Sequence, residues 1–83
     1  MARVIYNLES VQYDGTNGDY ICGTWLANCT KVSDNGSVLV YEDGADHSNH
    51  TVNLNDYVVR QGTQDIEGRV QTPSQYANNY YEL

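Results

Sequence analysis

Few residues in this 83-residue chain have the chemistry to hold a partner, and they fall in three groups. Arg60 and Arg69 are two of only four cations, each on a short apolar stretch, "YVVR" and "RVQ". A guanidinium so placed pairs readily with a carboxylate or phosphate. Tyr57 and Tyr76 are aromatic rings able to stack on a planar ligand or pack at an interface. Glu42, Asp43 and Asp46 make the "YEDGADHSNH" stretch acidic, and His47 and His50 follow them. Two histidines three apart beside carboxylates are candidate metal ligands, but a zinc site needs a third and fourth ligand in fixed geometry. The stretch reads better as a solvated hairpin tip, so neither a metal nor any other cofactor is expected.

Cys22 and Cys29 raise the question of a disulfide. On one helix, seven residues separate them by roughly 10 Å along the axis, whereas a bridge needs Cα atoms within about 7 Å. They read as small buried apolar side chains in a reducing compartment. No serine stands in a G-x-S-x-G elbow, and no G-x-x-x-x-G-K loop is present to cradle phosphate. Glu42 and Asp43 are adjacent, so on a strand they point to opposite faces rather than acting as a pair. The expectation is a protein that is not an enzyme.

Composition narrows the partner. The chain carries 11 acidic residues against four basic ones, a net charge of −7. Nucleic-acid binding needs clustered cations to release counterions, so direct contact with nucleic acid is not expected. An acidic surface suits a basic protein face, or simply solubility. Eight tyrosines and no phenylalanine suit both half-buried core positions and interfaces. No apolar run approaches the ~18 residues of a membrane span, and the N-terminus lacks a signal-peptide pattern, so no membrane association and a cytoplasmic location are expected. One domain of this size buries only about 60–65% of its unfolded surface, which makes a homo-oligomer a reasonable source of further burial.

The elements that must position these residues follow from periodicity and turn chemistry. Val4, Tyr6 and Leu8 alternate and Val11 and Tyr13 continue on the odd count, which predicts a strand broken or bulged near Glu9-Ser10. Ile21, Cys22, Trp25, Leu26 and Cys29 predict a helix over 16–29, capped by Thr16 or Asn17 with Asp19 completing a capping box. Asp34-Asn35-Gly36 is a turn, Ser37 to Glu42 a strand, and "ADHSNH" a hairpin loop. "TVNL" and "YVVR" are strands separated by the turn Asn55-Asp56, followed by the loop "GTQDIEG" and the brief strand "RVQ". Thr72, Pro73 and Gln75 have the spacing of a helix N-cap, first residue and capping-box partner, with Tyr76, Ala77 and Tyr80 on one face. The expected class is α+β: one domain (1–83) with a small antiparallel β-sheet, one inserted helix and a short C-terminal helix.

In this order the motifs resemble a family of small bacteriophage proteins. Those proteins open on Val-Gln-aromatic-Asp-Gly-Thr, matched here by Val11, Gln12, Tyr13, Asp14, Gly15 and Thr16. They place an Asp-aromatic turn before an apolar strand, matched by Asp56, Tyr57, Val58 and Val59, and end on a segment matched by Pro73, Tyr76, Tyr81 and Glu82. The family's Pro-Gly before that turn is Leu54-Asn55 here, its Gly-Glu turn is inverted as Glu67-Gly68, and its Cys-Lys is replaced by Gln71-Thr72. The resemblance implies phage origin and a place in the host cytoplasm. The expected role is antagonism of a host defence system, in the manner of an anti-CRISPR inhibitor, by binding one of its proteins through an acidic, Tyr-rich surface. Two alternatives stand beside it: an oligomeric sponge for a nucleotide-derived signalling molecule, with Arg60 and Arg69 on the anion and Tyr57 or Tyr76 on the base, and a structural or assembly component of the virion.

Overall fold

The computed structural model describes residue 2 and residues 8–44, 47–61 and 68–80. Within these the order is β1 (Leu8–Gln12), α1 (Gly18–Ile21), β2 (Thr30–Asp34), β3 (Val38–Glu42), β4 (Asn49–Asn53), β5 (Tyr57–Gln61), β6 (Arg69–Gln71) and α2 (Pro73–Asn79). The α+β class holds, with a correction: the strands form two three-stranded antiparallel sheets, β1-β5-β6 and β2-β3-β4, rather than one.

Turn chemistry builds both sheets. Asn35 closes the β2–β3 hairpin by accepting the Ser37 and Val38 amides on Oδ1, and Gly36 takes φ +85°, a region open to glycine. Between β4 and β5, Asn55 adopts φ +74°, which Asn tolerates better than most residues. There the buried Asp56 accepts the Asn53 amide at 3.0 Å. The strands over "TVN" and "YVVR" form as expected. Of the stretch "ADHSNH", expected as a hairpin loop, Asn49 and His50 already belong to β4, while its first two residues, like the loop "GTQDIEG" up to Glu67, lie outside the described residues.

Three local expectations are corrected. First, the register of β1 against β5 runs unbroken from Leu8↔Gln61 to Gln12↔Tyr57, so there is no bulge at Glu9-Ser10. The change of phase in the sequence arises because Leu8 sits on the opposite face from Val11 and is exposed. Second, the helix over 16–29 shrinks to the four residues of α1. Cys22 is extended (φ −98°, ψ 109°) and Gly23 takes φ +105°, which ends a helix because Gly costs about 1 kcal/mol inside one and moves freely into the left-handed region. Asn17 caps α1 without a side-chain bond, and Asp19 turns to Lys31 instead of closing a capping box. The segment from Cys22 to Cys29 stays compact through turns such as Trp25 N–H to Tyr20 C=O (2.8 Å) and Leu26 N–H to Ile21 C=O (2.9 Å). Third, Thr30–Asp34, unassigned by pattern, is strand β2. All but one of its residues are exposed, so it shows no alternating apolar signal.

Both sheets contribute to one core. Val11, Val58 and Val70 come from β1-β5-β6, Leu39, Tyr41 and Val52 from β2-β3-β4, and Ile21, Cys22, Trp25, Leu26 and Cys29 from the segment between them. The apolar set read as a helical face is thus the buried set, although beyond Ile21 its backbone is not helical. Helix α2 forms as expected: the Thr72 hydroxyl accepts the Gln75 amide at 3.2 Å, the Gln75 side chain accepts the Thr72 amide at 3.0 Å, and Pro73 opens the first turn. Tyr76 is its buried anchor, while Ala77 is exposed.

Candidate functional site

Arg60 is on β5 directly opposite Glu9 on β1. Its guanidinium donates to the Glu9 carboxylate at 3.1 Å and to the Trp25 carbonyl, and its centre lies 4.5 Å from the middle of the Trp25 ring. The side chain is 15% exposed. Its Nε is buried and makes no hydrogen bond among the described residues. A planar cation on an indole face with a carboxylate at its edge is a locking arrangement, worth about 1–2 kcal/mol for the ring contact when desolvated. An incoming anion would have to displace Glu9 to reach it.

Arg69 does not join Arg60. The Cα register pairs Val59 with Arg69 and Val58 with Val70. Successive side chains of a strand alternate in direction, so Arg60 and Arg69 sit on opposite faces of the β1-β5-β6 sheet. Arg69 is exposed. Within one chain the two guanidiniums cannot converge on one ligand.

Tyr57 and Tyr76 do come together. Their rings stack at 3.8 Å between centroids, 5° from parallel, and Tyr80 tilts against Tyr76 at 5.5 Å. Residue Tyr57 on β5 and residue Tyr76 on α2 therefore fasten the helix to the sheet face opposite the core. The Tyr76 hydroxyl also meets Ser10 Oγ on β1 at 2.8 Å. The face that each ring turns to the other is closed to a base.

The acidic hairpin separates into two pairs. His50 Nε2 lies 2.9 Å from Asp43 Oδ2, and the imidazole stacks on Tyr41 at 5.1 Å. His47 Nδ1 lies 3.3 Å from Glu42 Oε1. Asp43 is fully buried, while the Glu42 side chain is 44% exposed, so the adjacent carboxylates do face opposite ways. Asp43 as a surface docking residue is thereby corrected: its carboxylate points inward under His50. Asp46 lies outside the described residues. Among the described residues no group of three or more His, Cys, Asp or Glu side chains is arranged to hold a metal.

One polar group escaped the sequence reading. Tyr13, fully buried, donates its hydroxyl to Asp34 Oδ1, and Asp34 also accepts the Gly36 amide at 3.0 Å. Burial, with the Asp34 hydrogen bond and charge, pushes the Tyr13 phenol up to about 12. The Tyr13 hydrogen bond, with the Gly36 amide, holds the Asp34 carboxyl below the ordinary carboxylate range. The available signal was that Tyr13 and Asp34 each immediately precede or begin an Asp/Asn-Gly turn. Gly15 and Gly36 of those turns lie so close that a Cβ on Gly15 would stand 2.5 Å from the Gly36 carbonyl oxygen. Nearby, Lys31 pairs with Asp19, which raises the Lys31 ammonium above its usual value. Cys22, pushed up to about 11 mainly by burial, holds its proton, as expected of an inert thiol; no disulfide joins it to Cys29.

The exposed large apolar side chains among the described residues are Leu8, Tyr20, Val32 and Leu54. No described helix is long and apolar enough to cross a membrane. Comparison with protein-family models, with curated proteins and with solved structures finds no match.

Proposed function

We propose that this chain is a phage-encoded, non-enzymatic antagonist that binds a basic face of a host defence protein in the cytoplasm through its carboxylate-rich surface. One observation carries the reading: Lys31 and Arg60 are already paired within the chain, with Asp19 at the surface and with Glu9. In a chain of net charge −7, the field presented to a partner is therefore negative. Such a field steers a basic partner and speeds its encounter. Exposed Tyr20 supplies the amphipathic ring common at protein interfaces. The sponge reading receives less support, because Arg60 is engaged, Arg69 faces away from it and Tyr57 stacks on Tyr76.

The test is a double charge reversal, Asp19→Lys with Glu42→Lys, at two exposed carboxylates. Expression of the wild-type protein in cells carrying individual defence systems restores plating of a sensitive phage against one of them. The double variant, shown folded by circular dichroism, loses that effect and weakens binding to the affected component by about tenfold or more. Undiminished inhibition and binding would overturn acidic docking. Heat on titration with cyclic nucleotides would move the reading to the sponge, and recovery of the protein in purified virions would move it to a particle component.

A further inference from the structure

The two sheets have four outer edges, and they are not alike. β6 and β4 approach one another. β2 is guarded in the usual manner of exposed edges, with Lys31 in the strand and a bulge between Lys31 and Ser33. β1 has neither device. Its register against β5 is regular over all five residues, it contains no lysine or proline, and Leu8, Glu9 and Ser10 are exposed. Among the described residues no strand pairs with its outer side.

The direction of its backbone groups follows from Tyr13. The Tyr13 amide donates to the Asp56 carbonyl at 2.9 Å and the Tyr13 carbonyl accepts from the Asn55 amide at 2.9 Å, so both point toward the β5 side. In an antiparallel ladder residues alternate between pointing both groups at the partner and both away. Glu9 and Val11 therefore bond inward, and the N–H and C=O groups of Leu8, Ser10 and Gln12 point outward. The Gln12 carbonyl accepts the Asn17 side chain at 2.8 Å, which leaves its second lone pair.

From this edge we infer that β1 is the docking strand for a second copy of the chain, paired antiparallel about a two-fold axis at Ser10. That register bonds Ser10 to Ser10 of the other copy and Leu8 to Gln12 of the other copy, using every outward group of the strand. It joins the two β1-β5-β6 sheets into one continuous six-stranded sheet. Charge selects the occupant. A copy carrying −7 can approach another only where that charge is absent. β1 has a single charge, Glu9, compensated by Arg60, and α2, whose Tyr76 overlies Ser10, has the uncharged sequence PSQYANN. A basic partner gains nothing at this edge, whereas a self-complementary neutral strand does. The pairing also covers Leu8, which the isolated chain leaves exposed.

Sedimentation velocity over a concentration series tests it on the full chain. The wild type is expected to move from the 9.3 kDa chain toward twice that mass. Ser10→Pro removes an outward N–H, a change edge strands tolerate, and is expected to remain a monomer throughout. Ser10→Ala, which loses only the Tyr76 contact, and Val32→Lys, on the β2 edge, are expected to dimerise like the wild type. Should Ser10→Pro fail to fold, hydrogen exchange on the wild type decides: the Leu8, Ser10 and Gln12 amides slow as concentration rises. A wild type that stays monomeric, a folded Ser10→Pro that still dimerises, loss of the dimer in Val32→Lys, or exchange at those amides that ignores concentration overturns the inference.

Discussion

At the scale of single residues, the polar chemistry of this chain is turned inward. Arg60 braces Glu9 against Trp25, Asp43 is buried under His50, and Tyr13 is tied to Asp34. The last pair makes stability depend on pH at both ends. Asp34, lowered in the fold, contributes stability that is present above its unfolded value of about 3.9 and is lost as pH falls through its folded value. Tyr13, raised to about 12, contributes stability that is present below its unfolded value of about 10 and is lost as pH rises through the folded one. Both follow because the state that binds protons more tightly is favoured as they become plentiful. Tyr13→Phe keeps the ring and removes the hydroxyl. It is expected to cost about 1–2 kcal/mol near neutrality and to flatten both limbs of a plot of urea-unfolding free energy against pH. Unchanged limbs would mean that other groups set the pH dependence.

At the scale of elements, local rules succeed where one residue dictates a bond and fail where packing decides. Helix α2 is written by Thr72, Pro73 and Gln75, and all three occupy the positions their types demand. Seven residues are too few for a helix to persist alone, so the capping box and the Tyr57–Tyr76 stack must hold it. Thr72→Ala is expected to cost about 1 kcal/mol, read as a shift in the unfolding midpoint, with faster amide exchange at Gln75 and Tyr76. Exchange that is unchanged there would show the stack alone sufficient. The segment from Cys22 to Cys29 is the opposite case. Its apolar spacing identified the buried side chains correctly, but Gly23 ends the helix, and long-range contact rather than hydrogen-bond periodicity shapes the rest.

At the scale of the whole molecule, one core serves two sheets. Trp25, in the segment that links the two sheets, is part of that core, and its carbonyl and ring hold Arg60 of the β1-β5-β6 sheet. The sheets are therefore expected to unfold together: urea transitions followed by Trp25 fluorescence and by far-ultraviolet circular dichroism should share one midpoint, as for a two-state domain. Two midpoints would show that the sheets have separate stability. The same arrangement explains the surface. With Lys31 and Arg60 each paired to a carboxylate of the same chain, the net charge presented outward is negative, and the β1 edge, whose single charge is compensated, is the place proposed for a like-charged copy.

By itself the sequence determined the α+β class, the turns at Asn35-Gly36 and Asn55-Asp56, the strands from Val38 onward and the capped C-terminal helix, because each rests on residues that act on their own backbone. It also determined the net negative charge, which is additive and needs no coordinates. Only the tertiary structure decided that the strands divide into two sheets, that Thr30–Asp34 is an exposed edge, and that the helix after Asn17 stops at Ile21. It alone placed Arg60 and Arg69 on opposite faces and closed Tyr57 against Tyr76. These depend on which strand lies beside which, and in a sheet a single step of register sends a side chain to the other face.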